Sequence, residues 1–312
     1  FTTDSYAQQL ILHLFEPLLR QDENGELQLA AAESYQVSQD GLTYTFTLRQ
    51  GLTWENETPL TAHDFEFALK RMFNTQSLSP HAQSFVCLKN AQDILDGNLG
   101  YDDLGVTATS DTTLVIELDY ANPLLPQLLS TAPACPCNQS FFIDTKGKYG
   151  LERKYLNTCG PFWLRTWSDT FLQILAWEDY YQADSVKPSG VNFYVGRETS
   201  PMDLMLDDKA DFGKISYRDV SKAQREGMTV QSYWAQTWVI AFNQEDSTLA
   251  NQSIRQALSS CVDRDYLKDN LTSNLTLTSY LIPDQVKILS EPFRKVSTNT
   301  GHQANLSQGR SL

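Results

Sequence analysis

The chain has 312 residues, 41% hydrophobic and 20% charged, long enough for two hydrophobic cores and ordinary in composition for a globular protein. It contains no run of eighteen apolar residues, which excludes a predicted transmembrane helix. Its formal charge of -14, from 38 acidic and 24 basic residues, repels phosphate backbones and anionic lipid, so no nucleic acid partner is expected, and the dispersed acid reads as solubility.

Residues 7–20 repeat Leu10, Ile11, Leu14, Phe15, Leu18 and Leu19 at helical spacing and predict an amphipathic helix. A turn at 21–26 follows. Residues 43–49 alternate hydroxyl-bearing and apolar side chains, the period of a half-buried strand, and Asp40-Gly41 before them predicts a hairpin with residues 35–38. Thr61 reads as an N-cap with Asp64 at the third helical position, opening a helix over 62–72 that buries Phe65, Leu69 and Met72. Residues 114–118 form a short apolar strand after a turn at Ser110-Asp111, and Gly160-Pro161 starts a strand pair over 162–165 and 171–175. A helix from near Thr199 ends over 207–212. Residues 234–243 are aromatic and β-prone, and 254–270 carry Ile254, Leu258, Val262 and Leu267 at spacings of three to five and predict a helix. Beyond Thr272 the composition turns to Ser, Thr, Asn, Gln and Gly, which suggests a cut chain, and residues 1–5 lack the basic and apolar stretches of a targeting peptide. Strands and helices interleave without strict βαβ regularity, so the expected fold class is mixed α/β.

The chemistry-bearing residues form no recognisable catalytic set. The five cysteines, Cys87, Cys135, Cys137, Cys159 and Cys261, include a CxC pair but no CxxC, and His13, His63, His81 and His302 stand singly, so no metal is expected. One disulfide among Cys87, Cys135, Cys137 and Cys159 would suit an exported protein, with its pairing open. GxSxG, HExxH, Walker A and GxGxxG motifs are all missing from the sequence. Asp102/Asp103 and Asp207/Asp208 read as solvated turns, and Asp64 and Glu66 point to different faces of their helix. Neither catalysis nor a cofactor is expected.

Three segments together resemble the oligopeptide- and dipeptide-binding proteins of ABC importers, family 5 of the extracellular solute-binding proteins. The first runs through Leu14-Phe15-Glu16-Pro17-Leu18-Leu19, Ala32-Glu33-Ser34-Tyr35, and Asp40-Gly41-Leu42-Thr43-Tyr44-Thr45-Phe46-Thr47-Leu48-Arg49 with Trp54, to Thr61-Ala62-His63-Asp64-Phe65. The second is Thr158-Cys159-Gly160-Pro161-Phe162, with Cys159 where the family is usually small. The third is Phe242-Asn243 with Ile254-Arg255-Gln256-Ala257-Leu258 and Val262-Asp263-Arg264. Ser79-Pro80-His81-Ala82 is similar to the family's "SPYA".

This resemblance implies a periplasmic-binding-protein-like class II lobe carrying an inserted α+β subdomain, truncated before most of a second lobe. The implied divisions are 1–41 and 157–243 for the first lobe, 42–156 for the insert, and 244–312 for the crossover and the start of the second lobe. It further implies a non-enzymatic peptide receptor that delivers extended oligopeptides or dipeptides to membrane permease subunits, as a monomer, either lipid-anchored on a Gram-positive surface or periplasmic. A peptide-pheromone or other small-solute receptor on the same fold is the alternative, and a secreted hydrolase is a third class. Residue by residue, the resemblance places Thr3, Asp4 and Ser5 along the ligand and His81 at a cleft tyrosine's position, with a surface-loop histidine as the plain alternative. Among Tyr233, Trp234 and Trp238 one lines the cleft or all pack in a core. Arg49 and Asp64 read as a structural ion pair.

Overall fold

The computed structural model describes residues 1–76, 79–196, 200–231, 237–270, 277–278, 280–282, 286–288 and 291–296. The chain divides into two compact units, Phe1–Gly196 and Arg197–Leu312.

In the first unit, the Asp4 carboxylate accepts the Ala7 N–H at 2.8 Å and so starts helix α1, Ser5–Leu14. The predicted extension to Arg20 does not form. Pro17 has no N–H to donate, and it disfavours helical backbone at Glu16, so the helix ends with Phe15 extended. Leu18 and Leu19 are buried all the same, Leu19 opening strand β1, Leu19–Gln21, which pairs antiparallel with β2, Leu27–Leu29. An apolar pattern reports burial, and here burial is reached by two kinds of element.

Strands β3 (Ala32–Val37), β4 (Thr43–Leu48), β5 (Val106–Ser110) and β6 (Thr113–Glu117) build a four-stranded antiparallel sheet in the order β3-β4-β6-β5. The β3–β4 hairpin turns at Gly41, whose φ of 72° lies in the left-handed region that glycine tolerates. Alternation along β4 and β6 sends Tyr44, Phe46, Leu48, Leu114 and Ile116 into the core. Helix α2, Ala62–Met72, packs on β5 and β6 with Phe65, Leu69 and Met72 buried, as its spacing predicts. The Thr61 N–H donates to Asp64 Oδ2 at 2.9 Å, and the buried Trp54 indole N–H donates to the same oxygen at 3.2 Å. Asp64 therefore serves its own helix start. The expected Arg49–Asp64 ion pair does not form: Arg49 donates to the Ala30 carbonyl at 2.8 Å and lies over the Tyr181 ring, 5.3 Å from its centroid.

Strands β7 (Phe162–Trp167), β8 (Phe171–Ala176) and β9 (Gly190–Tyr194) form an antiparallel sheet in that order. The turn before β7 closes the exposed end of α1: the Cys159 and Gly160 N–H groups donate to the Leu14 carbonyl at 3.1 and 2.9 Å. A Cβ at position 160 would stand 2.7 Å from the backbone of Leu14 and Phe15. Gly160→Ala is therefore expected to destabilise the unit by about 1–3 kcal/mol through overpacking, read as a lowered urea midpoint.

In the second unit, Ser200 accepts the Asp203 N–H at 3.1 Å and starts the helix Pro201–Leu206. The predicted helix over 254–270 is two helices, Gln252–Ser260 and Arg264–Asn270, because the Asp263 carboxylate accepts the Tyr266 N–H at 2.8 Å and begins a new one. The strand predicted over 234–243 is not seen over 237–243, which has no ladder partner among the described residues, while 232–236 lie outside them. Most of the chain beyond Thr272 also lies outside them. Among the described residues no helix is long and apolar enough to cross a membrane.

Candidate functional site

Thr3, Asp4 and Ser5 are exposed at the start of α1. Two short hydrogen bonds shape this stretch: the Asp4 carboxylate caps the helix, and the Asp4 N–H donates to Thr2 Oγ1 at 3.1 Å. The Thr2 carbonyl accepts from the Gln8 side-chain amide at 2.9 Å and lies 2.8 Å from His81 Nε2. The fold thus brings His81 beside residues that precede it by 79 positions. His81 is half-buried and precedes a 3-10 turn, Ala82–Phe85, whose Ala82 and Phe85 are buried in the core. Trp238 belongs to the second unit and is 79% exposed, outside any helix or strand. Tyr233 and Trp234 lie outside the described residues.

A surface cleft of about 350 Å³ runs over the loop after β4, lined by Arg49, Gln50, Gly51, Thr53, Thr61 and Asp111 among others. His63 lies at the start of α2, its ring nitrogens 3.7 Å from Glu66 and 3.6 Å from Asp111. Among the described residues no group of three or more His, Cys, Asp and Glu is arranged to hold a metal ion.

A buried acid to which sequence reasoning gave no role is Glu16, which is 3% exposed. Tyr181 and Tyr180 donate their hydroxyls to its two oxygens at 2.8 and 2.9 Å, and its own N–H donates to Cys159 Sγ at 3.5 Å. Burial raises its pKa above the ordinary range, against the pull of both hydroxyls and of nearby Arg20 and Arg49. A raised carboxyl pKa is also what a general acid needs, so its access decides its role. The adjoining cavity, lined by Cys159, Tyr180 and Tyr181, holds only about 10 Å³, at most room for a single water. Glu16 is a strut joining the end of α1 to residues 180–181. Pro17 carried the signal: it takes Glu16 off the helix surface and turns it inward. The disulfide that would suit export does not form. All five thiols are free, four of them buried and Cys261 exposed.

Comparison with known proteins places this architecture. The sequence model for bacterial extracellular solute-binding proteins, family 5 middle, matches residues 26–299. A dipeptide-binding protein of Lactococcus lactis subsp. cremoris is 34% identical over 297 residues, covering 89% of this chain and 54% of that protein. The structure of Listeria monocytogenes OppA bound to peptide superposes with a TM-score of 0.84 at 24% identity, covering 99% of this chain and 63% of that one, which establishes the fold. The peptide-binding pheromone receptor PrgZ gives a TM-score of 0.76 at 28% identity, covering 86% of this chain and 54% of that one. The chain spans about half the length of the curated relatives it matches. The mixed α/β fold that the motifs implied is the fold of OppA-type binding proteins. This chain belongs to the bacterial extracellular solute-binding proteins of family 5.

Proposed function

We propose that the protein is the substrate-binding component of an ABC importer that captures extended oligopeptides or dipeptides and passes them to a membrane permease. The observation that carries this reading is the 34% identity with a dipeptide-binding protein over 89% of the chain. Recognition through the peptide backbone, in the manner of an added strand, suits such a role because main-chain groups are common to every peptide. In this reading Thr3, Asp4 and Ser5, exposed beside His81, face the ligand, and Trp238, considered by itself, is a further candidate contact. Division of the chain at 1–41, 42–156, 157–243 and 244–312 belongs to the same reading, as do a monomeric state and a place outside the cytoplasmic membrane, lipid-anchored or periplasmic. A receptor rather than an enzyme belongs to the same reading, supported by membership of a solute-binding family and by likeness to a dipeptide-binding protein.

Asp4→Ala and Trp238→Ala, made in the full-length protein, are expected to weaken binding of a defined peptide by about three- to tenfold, the worth of one or two modest contacts. Calorimetry gives the affinities, and parent-like values for both variants would remove these residues from the site. Native mass spectrometry of protein purified from rich medium tests the ligand class, since co-purified peptides add their mass directly. Likeness to PrgZ favours a second reading, a receptor for peptide pheromones. Binding confined to one short peptide, with no affinity for a mixed peptide pool, would select it.

A further inference from the structure

Residues 2–5 have few backbone ties of their own. Apart from the Asp4 carbonyl, which accepts the Gln8 N–H at 3.0 Å as the first turn of α1, and Ser5, which opens that helix, the stretch is held through side chains. Two of these converge on one atom. The Thr2 carbonyl oxygen takes the Gln8 side-chain amide from α1 at 2.9 Å and faces His81 Nε2, 79 residues further along the chain, at 2.8 Å. A carbonyl oxygen only accepts, so His81 must carry its proton on Nε2. The histidine is a firm donor because its own backbone is fixed: its N–H donates to Ser79 Oγ at 3.3 Å, its carbonyl accepts the Ser84 N–H at 2.9 Å, and the following Ala82 and Phe85 are buried.

We infer that His81 is a positioning residue, whose bond to the Thr2 carbonyl fixes the path of residues 3–5 and so the ligand-facing edge of the first unit. This rests on the peptide-binding reading for its consequence but not for its geometry. Gln8 moves with the helix that residue 4 caps, so it holds the stretch only to its own element. Beyond α1, this end of the chain is tied to the rest of the unit by the His81 bond at the Thr2 carbonyl and by the Phe1 ring, whose centroid lies 4.6 Å from the Arg71 guanidinium. Of these, the His81 bond acts on the backbone next to residues 3–5. Losing that tie leaves α1 folded and releases the strand-like entry before it. A group that holds a binding edge in place changes affinity through the ordering cost of that edge, without touching the ligand.

The test uses two variants of the full-length protein and two readouts. His81→Phe keeps a ring of similar size and deletes the donor; His81→Gln restores an amide donor of comparable reach. Hydrogen exchange of the segment spanning residues 2–7, followed by mass spectrometry, is expected to accelerate about fivefold or more in His81→Phe and to return towards the parent in His81→Gln, with the thermal midpoints of both variants close to the parent's. Calorimetry with alanine peptides of two to five residues is expected to show about fivefold weaker binding for His81→Phe, recovered in His81→Gln. Unchanged exchange in His81→Phe overturns the inference, and so does weakened binding that His81→Gln fails to recover. Faster exchange with unaltered peptide affinity in all variants, Asp4→Ala included, leaves the pin standing and defeats the functional reading, so the two failures are told apart.

Discussion

Glu16→Ala is expected to cost about 2–4 kcal/mol of stability at pH 7, while Glu16→Gln stays close to the parent. The alanine variant takes the acceptors from two tyrosine hydroxyls in a closed setting. Tyr181 retains the Ala30 carbonyl at 3.1 Å as an alternative, so most of the loss falls on Tyr180 and on the vacated volume. Glutamine keeps the shape and an acceptor oxygen without the charge. Burial disfavours that charge strongly enough to outweigh the tyrosines and arginines around it, which is why the pKa is raised.

The same shift fixes the sign of a pH effect. Unfolded, Glu16 titrates near its ordinary value of 4.5, and folded it titrates above that value. As pH falls through the raised folded value, the folded chain takes up the proton first, so this residue's contribution grows. It is complete below 4.5 and lost as pH rises through the folded value. His13 acts in the opposite sense. Burial lowers its pKa from 6.5, so acidification protonates the unfolded chain first and costs stability. Comparing the parent with Glu16→Gln cancels His13. Urea unfolding of both proteins at pH 7 and pH 5 is expected to show the parent gaining on the glutamine variant as the solution is acidified. A difference that does not change with pH would mean that Glu16 titrates as an ordinary glutamate.

Trp54→Ala carries the other large effect, about 3–5 kcal/mol, because the indole is wholly buried and deleting it empties the junction between α1, α2 and the loop after β4. It meets Phe15 edge-on at 6.3 Å between ring centroids and donates to Asp64 Oδ2. Trp54→Phe keeps much of the apolar contact and removes one donor from a buried carboxylate, and is expected to cost about 1–3 kcal/mol. The ordering alanine, then phenylalanine, then parent in denaturant midpoints checks both parts of the argument. Equal midpoints for phenylalanine and parent would show that the indole N–H contributes nothing.

Local rules carried the sequence reading a long way. The alternation in residues 43–49, the Asp40-Gly41 turn, the Thr61/Asp64 helix start and the strand pair after Gly160-Pro161 are all present as elements of the first unit. Each is set by contacts within a few residues, by a dihedral only glycine tolerates, or by a period that one buried face imposes. The ordered motifs through residues 14–65 likewise mark the family. Pro17 and Asp263 carry the helix boundaries that the apolar spacing hides, and both act within a few residues.

What the sequence could not contain is which distant groups meet. Arg49 and Asp64 are complementary charges fifteen residues apart in number, yet one serves the Ala30 carbonyl and the other serves Trp54 and Thr61. Glu16 finds Tyr180 and Tyr181, and His81 finds Thr2, only because packing closes long loops around them. A hydrogen bond depends on distance and direction in space, and separation along the chain determines neither. The sequence by itself therefore determined the elements and the family, and the tertiary structure decided which polar groups became struts, caps and pins.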